Sequence, residues 1–342
     1  MKILVIGGTG FIGSFLIEHL QRAGHSIAVF HRGNTPLPSG VRQIIGDRNR
    51  LNDFRPMFAG EKYDLAIDCI VSSAGQASQL VAALRGITRR VVVLSSMDVY
   101  RAWGVFSGTE PGGPEPMPVN EDSALRTKPP YPPETLAALS KKVSWADGEY
   151  DKVPVERVIL EDRELPGTIL RLPMVYGPGD YVHRFHPYLK RMDDRRRFIL
   201  FAEDVARMRT PRGYVEDVAA GIALAATSEL GLGRIYNISE PDCWSELEWA
   251  RKIAAATGWG GEFLELPPEN TPPHLVWPYN TAQHLVVSSD RIRAELGYRE
   301  PTDVDEAFER TIRWERAHPP QVVAIPFNYE AEDAALNSRA SA

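Results

Sequence analysis

The chain has 342 residues, 43% hydrophobic and 25% charged, with a formal net charge of −6. That suits one large α/β domain with a smaller lobe, and the acidic balance argues against nucleic acid as a partner. Two cysteines, Cys69 and Cys243, cannot build a disulfide framework, and no apolar run approaches the ~18 residues of a membrane helix or forms a secretory leader, so the expected compartment is the cytoplasm.

In chain order, continuous apolar runs at Ile3–Ile6, Ile27–Phe30, Gln43–Ile45, Leu65–Cys69 and Val91–Leu94 predict buried strands of a parallel sheet. Amphipathic stretches at Phe11–Ala23, Leu51–Phe58 and Gln76–Arg85 predict the helices between them. This alternation predicts an α/β fold, a Rossmann-type doubly wound sheet. The stretch Gly104–Pro133, dense in Gly and Pro, predicts a long surface loop that shapes a substrate pocket. A helix over Glu134–Trp145, another from Asp151 and a sixth strand at Gly167–Leu172 complete a dinucleotide-binding domain at 1–176.

Residues 177–326 predict a smaller C-terminal α/β substrate lobe, partly interleaved with the first domain. Its elements are a basic helix His183–Arg197, an amphipathic helix Tyr214–Ala226, a short strand Ile235–Ile238, and helices near Ser245–Ala256, Ser289–Leu296 and Val304–Ala317. Ser245 and Ser289 suit N-caps. From about Phe327 to residue 342 the small, polar composition predicts a frayed, disordered tail.

Gly7-Gly8-Thr9-Gly10-Phe11-Ile12-Gly13 follows the first strand directly and opens the first helix. Gly7 permits a tight turn, Gly10 lacks the Cβ that would hold a pyrophosphate off the backbone, and Gly13 lets the helix pack closely. The helix N-terminus then offers free N–H groups to phosphate, with Thr9, Phe11 and Ile12 in the same cradle. An acid about 20 residues on would bind the ribose 2′-OH of NAD, and an arginine would suit the 2′-phosphate of NADP. The second strand ends His31-Arg32-Gly33. NADP(H) is therefore favoured, with Arg32 as its contact, and NAD(H) stays open.

The GxxGxxG spacing with Thr-Gly-Phe-Ile-Gly inside it resembles the extended short-chain dehydrogenase/reductase family, the NAD-dependent epimerases and dehydratases. The resemblance implies that Asp47, with Arg48 beside it, lies at the adenine edge. It also implies catalysis by a Ser or Thr after the fifth strand and a Tyr-x-x-x-Lys on a later helix. Val91–Tyr100 looks like the family's Ser-Ser-x-x-Val-Tyr strand, which puts Ser96 at the catalytic hydroxyl with Met97 and Tyr100 beside the substrate. Lys152 and Glu156 are similar to the family's Lys-x-x-x-Glu, and the distance to Leu170–Pro178, similar to its sixth-strand motif, also fits. Lys152 would orient the nicotinamide ribose, and its ammonium would lower the pKa of a nearby phenol.

The usual tyrosine is missing, because Gly148 stands four residues before Lys152. Tyr150 is two residues away, nearly opposite on a helix. If Asp151 is the N-cap, with Pro154 tolerated in the first turn, Tyr150 precedes the helix and is free to turn inward. Tyr150 is then the candidate proton donor and Tyr100 the second choice. Ser140-Lys141 resembles the family's Ser-Lys pair but has no tyrosine at 137 and lies too far from Arg171. Met174 stands where many nucleotide-sugar members carry an Asn that contacts the diphosphate. Arg212 falls near a diphosphate-binding Arg, and Met174, Arg212 and Arg209 are the substrate-side candidates.

Gly213–Ala219, Tyr236–Ser239, Arg291–Gly297 and Thr311–Trp314 extend the resemblance to about residue 317. Pro278-Tyr279-Asn280, Gln283-His284 and Ser288 look most like the atypical branch that includes chloroplast stem-loop-binding proteins. Two functions follow. One is an NAD(P)-dependent epimerase, dehydratase or reductase acting on a sugar-like hydroxylated small molecule, nucleotide-linked or free. The other is a non-catalytic NAD(P) binder holding RNA or protein through Arg184, Lys190, Arg191, Arg195, Arg196 and Arg197, against which the negative net charge weighs. No metal site is expected, since the eight histidines are scattered and His183 and His186 lack companion ligands. No Gly-x-Ser-x-Gly elbow suggests a hydrolase. A homodimer is compatible with the sequence.

Overall fold

The apolar runs become the strands of a buried parallel sheet in the computed structural model, which describes residues 1–142, 148–323 and 326–340. The strands are β1 (Lys2–Ile6), β2 (Ser26–His31), β3 (Arg42–Ile45), β4 (Leu65–Asp68), β5 (Val91–Ser96), β6 (Gly167–Leu172), β7 (Met174–Tyr176), β8 (Phe198–Ala202), β9 (Arg212–Tyr214), β10 (Ile235–Asn237) and β11 (Glu262–Leu266). Among the described residues the central sheet has seven strands in the order β10-β6-β5-β4-β1-β2-β3, all parallel. The winding reverses between β1 and β4, where Ile6 pairs with Asp68. Ligands of open α/β sheets bind outside the carboxyl ends of the strands at such a reversal.

The helices are α1 (Phe11–Arg22), α2 (Arg55–Ala59), α3 (Ala74–Leu84), α4 (Arg101–Ser107), α5 (Pro133–Lys142), α6 (Lys152–Glu161), α7 (His186–Asp193), α8 (Glu203–Arg207), α9 (Val215–Thr227), α10 (Glu246–Thr257), α11 (Asp290–Leu296), α12 (Val304–Ala317) and α13 (Tyr329–Ala340). Alternate residues of a strand face opposite sides, and β1 divides accordingly. Ile3 and Val5 join one core with Leu16 and Leu20 of α1 and Val218 and Ile222 of α9. Leu4 and Ile6 join the other with Leu80 and Leu84 of α3 and Val155 and Ile159 of α6. Because β10 pairs with β6, the second half of the chain completes the sheet begun by the first. No helix among the described residues is long and apolar enough to cross a membrane.

Several expectations are corrected. Gly104–Pro133 is not a bare surface loop: α4 runs into it, and Glu110 inside it is buried, accepting from the Thr127 hydroxyl at 2.9 Å and the Lys128 amide at 2.8 Å. The basic helix stops at Asp193, and the apolar run after the arginines is β8, paired with β11 in a separate small sheet. Ser245 caps α10 in a full capping box. Ser289 instead donates to the Ser239 carbonyl at 2.8 Å and leaves α11 without a side-chain cap. The helix expected over Glu134–Trp145 is seen as α5, and Trp145 lies outside the described residues.

The expected frayed tail is α13. Glu332 on it is fully buried, holding Arg191 at 2.6 Å and His274 at 3.0 Å. Charge rather than an apolar stripe docks this helix, which is why periodicity does not reveal it.

Candidate active site

The site assembles at the carboxyl ends of β1, β4 and β5. Gly7 follows β1 with φ +75°, a left-handed conformation that a side chain resists, and an added Cβ there would collide with Ile70. A Cβ on Gly13 would lie 2.6 Å from the Gly8 Cα, so the helix and turn touch backbone to backbone. Gly10, the N-cap of α1, differs from both: the space over its missing Cβ is open, with only the Gly7 carbonyl at 4.0 Å. No side chain caps α1. Uncapped amides under an open glycine, with Thr9, Phe11 and Ile12 half-buried around them, fit the pyrophosphate of a dinucleotide.

Arg32 is exposed immediately after β2, and Asp47 is exposed, its side chain accepting from the Asn49 amide at 2.9 Å. Arg48 is corrected. It turns inward, 3% exposed, and Nη2 donates to Asp68 at 2.7 Å and to the Gln76 carbonyl at 2.9 Å. It braces the end of β4, not the adenine edge.

Ser96, Tyr150 and Lys152 come together. Asp151 is the N-cap of α6, accepting from the Val153 amide at 3.0 Å, and Pro154 falls in the first turn. Gly148, at φ +91°, is outside the helix. Shared helix faces therefore do not govern Tyr150, which lies in the segment before the cap. That segment is pinned by the Asp151 amide donating to the Ser72 carbonyl at 2.9 Å and by a 2.6 Å ion pair from Arg126 to Asp151. So held, the Tyr150 hydroxyl donates to Asp98 at 2.8 Å and faces Ser96. Lys152 is buried; Nζ donates to the carbonyls of Val71 and, at 2.9 Å, Leu94, and lies 5.7 Å from the Tyr150 ring centre. An ammonium has three donors, so two anchor it to the ends of β4 and β5 and one is left over.

The electrostatics reverse one expectation. Lys152 does not lower the phenol's pKa: burial, and then the Asp98 carboxylate, push Tyr150 well above the ordinary tyrosine value. Burial pulls Lys152 down to about 8 and raises the Asp98 carboxyl. At neutral pH Tyr150 is a neutral phenol. Asp98 went unnoticed in the sequence, where Ser-Ser-Met-Asp-Val-Tyr reads as strand and turn. An acid two residues after the candidate hydroxyl was the available signal, and Ser96 Oγ indeed accepts from its amide at 3.2 Å.

Tyr100, Arg212 and Arg209 are not brought to this point. Tyr100 is 1% exposed, its hydroxyl donating to Asn237 at 2.6 Å and accepting from Arg171 at 3.1 Å. It is a core residue, neither donor nor substrate contact. Arg212 is buried against Glu246 with its guanidinium 4.2 Å from the Trp249 ring centre, so it has no free face for a diphosphate. Arg209 donates to the Cys243 carbonyl at 2.6 Å and lies 3.4 Å from Glu248. Met97 is 5% exposed, while Met174 is half-buried and packs on the cluster that holds Met97. Four cations of the basic stretch are paired, Arg184 with Asp180, Lys190 with Asp194, Arg191 with Glu332 and Arg196 with Asp333, while Arg195 and Arg197 are exposed.

Arg212→Ala should therefore act on stability. It leaves Glu246 buried without its cation, a loss of about 3–5 kcal/mol for a broken buried pair. Chemical denaturation should show that drop, and the folded fraction should keep its substrate KM. A raised KM with unchanged stability would restore Arg212 as a substrate contact.

Fold and uncapped glycine turn together define an NAD-binding Rossmann protein, with a cluster of buried polar side chains at the end of β5. Residues 3–239 match the NAD dependent epimerase/dehydratase family, and the chain belongs to it. It is 24% identical over 341 residues to UDP-glucose 4-epimerase of Lactobacillus helveticus, covering 93% of this chain and 98% of that one. It is 23% identical over 325 residues to the chloroplast stem-loop binding protein of 41 kDa b of Arabidopsis thaliana, covering 90% and 77%. The match to 2′-dehydrokanamycin reductase of Streptomyces kanamyceticus is 32% identical over 151 residues, spanning 43% of this chain and 40% of that protein. Among solved structures, MoeE5 in complex with UDP-glucose and NAD superposes with a TM-score of 0.65 at 22% identity, covering 93% of this chain and 99% of that one.

Proposed function

We propose that this chain is an NAD(P)(H)-dependent epimerase, dehydratase or reductase that moves hydride and proton at a hydroxyl or carbonyl carbon of a sugar-like small molecule. The observation that carries this is the convergence of Ser96, Tyr150, Asp98 and Lys152 beside the uncapped turn at Gly10. Family membership supports it, as do the UDP-glucose 4-epimerases among its relatives. When bound, the nicotinamide supplies hydride acceptance and return. Tyr150 holds a proton on Oη, kept there by burial and Asp98, and shares it with the reacting oxygen. Ser96 offers that oxygen a second hydrogen bond. Lys152, fixed by two carbonyls, would hold the cofactor ribose with its remaining proton.

The assay is the nicotinamide absorbance in the presence of free sugars, UDP-sugars and simple ketones or alcohols, in both directions. No change with any of them would remove the enzymatic assignment. RNA binding is the weaker reading, because four of the six cations that suggested it are held by carboxylates.

NADP(H) is the proposed cofactor, supported by Arg32 exposed at the end of β2 and by the absence of an acid there. A charge-assisted bond to the 2′-phosphate contributes about 1.5–3 kcal/mol. Arg32→Ala should thus weaken NADP roughly 10- to 150-fold in a direct titration and leave NAD unchanged. Equal losses for both, or tighter native binding of NAD, would make Arg32 a surface residue only.

A further inference from the structure

We infer that the substrate pocket takes a phosphate-free carbonyl or hydroxyl compound with a flat apolar face, stacked on an aromatic wall, and not a nucleotide-diphosphate sugar. This rests on the enzymatic function proposed above.

The wall begins at the candidate proton donor. Tyr131 has its ring centre 6.2 Å from that of Tyr150 and 5.7 Å edge-on from Trp103, and it lies within electrostatic range of Asp98 and Tyr279. Tyr279 stacks on Phe106 at 4.7 Å and 30°, and Trp277 meets the same Phe106 edge-on at 6.5 Å. Trp277 and Met174 pack on the cluster that carries Met97, the residue after Ser96. Trp103, Tyr131, Tyr150, Met174 and Trp277 are only half-buried, and Tyr279 is 47% exposed. Rings fixed by their neighbours but left partly uncovered are surfaces that a flat ligand can cover without ordering anything new.

The charge on the same side points the same way. A diphosphate brought out of water needs cations or donors in return. Arg212 is spent on Glu246 and Trp249, Arg209 on Glu248 and the Cys243 carbonyl, and Arg126 on Asp151 and the Asp98 carbonyl. Met174 offers a thioether, which donates no hydrogen bond. What is left uncovered there instead is the aromatic rings, over a buried Asp98.

The test titrates 2-acetylnaphthalene and UDP-glucose separately into full-length protein saturated with its dinucleotide, following tryptophan emission and heat. The ketone should bind and UDP-glucose should not displace it. Tyr279→Ala, at a half-exposed ring, and Trp277→Leu should each weaken the ketone by about tenfold. UDP-glucose binding more tightly than the ketone, or ketone affinity untouched in both variants, would overturn the inference. With the reduced dinucleotide as the saturating form, ketone binding without oxidation of the nicotinamide supports the wall and overturns the enzymatic function instead.

Discussion

Tyr150→Phe is expected to cut turnover by ~10²–10⁴-fold, the usual contribution of a general acid–base group, with dinucleotide affinity unchanged. The substitution removes one oxygen and keeps the ring, so the contacts with Tyr131 and Lys152 persist. What is lost is the proton that burial and Asp98 hold on the phenol. Turnover within about threefold of wild type would end the case for Tyr150, and only then would another acid have to be sought. Lys152→Met should differ by weakening both affinity and turnover, since Lys152 meets the cofactor side and the proton donor at once. Its pKa, lowered by burial to about 8, fixes the sign of a pH effect. The cation is present below that pH and lost above it, so dinucleotide affinity should fall as pH rises through about 8. In Lys152→Arg, always charged, a titration across that range should be flat.

Gly10→Val is expected to abolish measurable dinucleotide binding, a loss of at least about 100-fold, while thermal unfolding stays near wild type. The asymmetry comes from the space each glycine faces. Above Gly10 nothing closer than 4.0 Å opposes a Cβ, and its φ of −86° suits any residue, so a side chain can start there without a clash. It does fill the space through which phosphate must approach the first amides of α1. Gly13→Ala should behave the other way, losing stability because its Cβ would lie 2.6 Å from the Gly8 Cα. A Gly10→Val protein that unfolds early, or folds and binds normally, would remove the turn as the cofactor site.

The first half of the fold was legible because strands covered on both faces leave continuous apolar runs; Ile3–Ile6 and Val91–Leu94 could hardly be anything else. In the second half the signals overlap. Phe198–Ala202 is just as apolar, yet it follows three arginines that extend a helical pattern, and its partner β11 is buried only at Leu266. The glycine turn was readable because Gly7 and Gly13 answer local steric demands, while Gly10 was read from the phosphate expected over it. Arg212, Tyr100 and Arg48 were not, because whether a polar side chain faces a ligand or the core depends on partners far along the chain, Glu246, Asn237 and Asp68. Tyr150 was reached through its N-cap, a local rule. Asp98 was passed over because nothing local marks it.

The docked helix α13 has a consequence for the order of events on the ribosome. Arg191 on α7 finds its buried countercharge on a residue synthesised 141 positions later. During that interval a cation destined for the interior has no anion, and the surface it will share with Glu332 and His274 stays hydrated. Nascent chains arrested before residue 332 clears the exit tunnel should therefore carry a finished nucleotide-binding half beside a lobe still open at α7, cleavable there by protease until the missing carboxylate arrives.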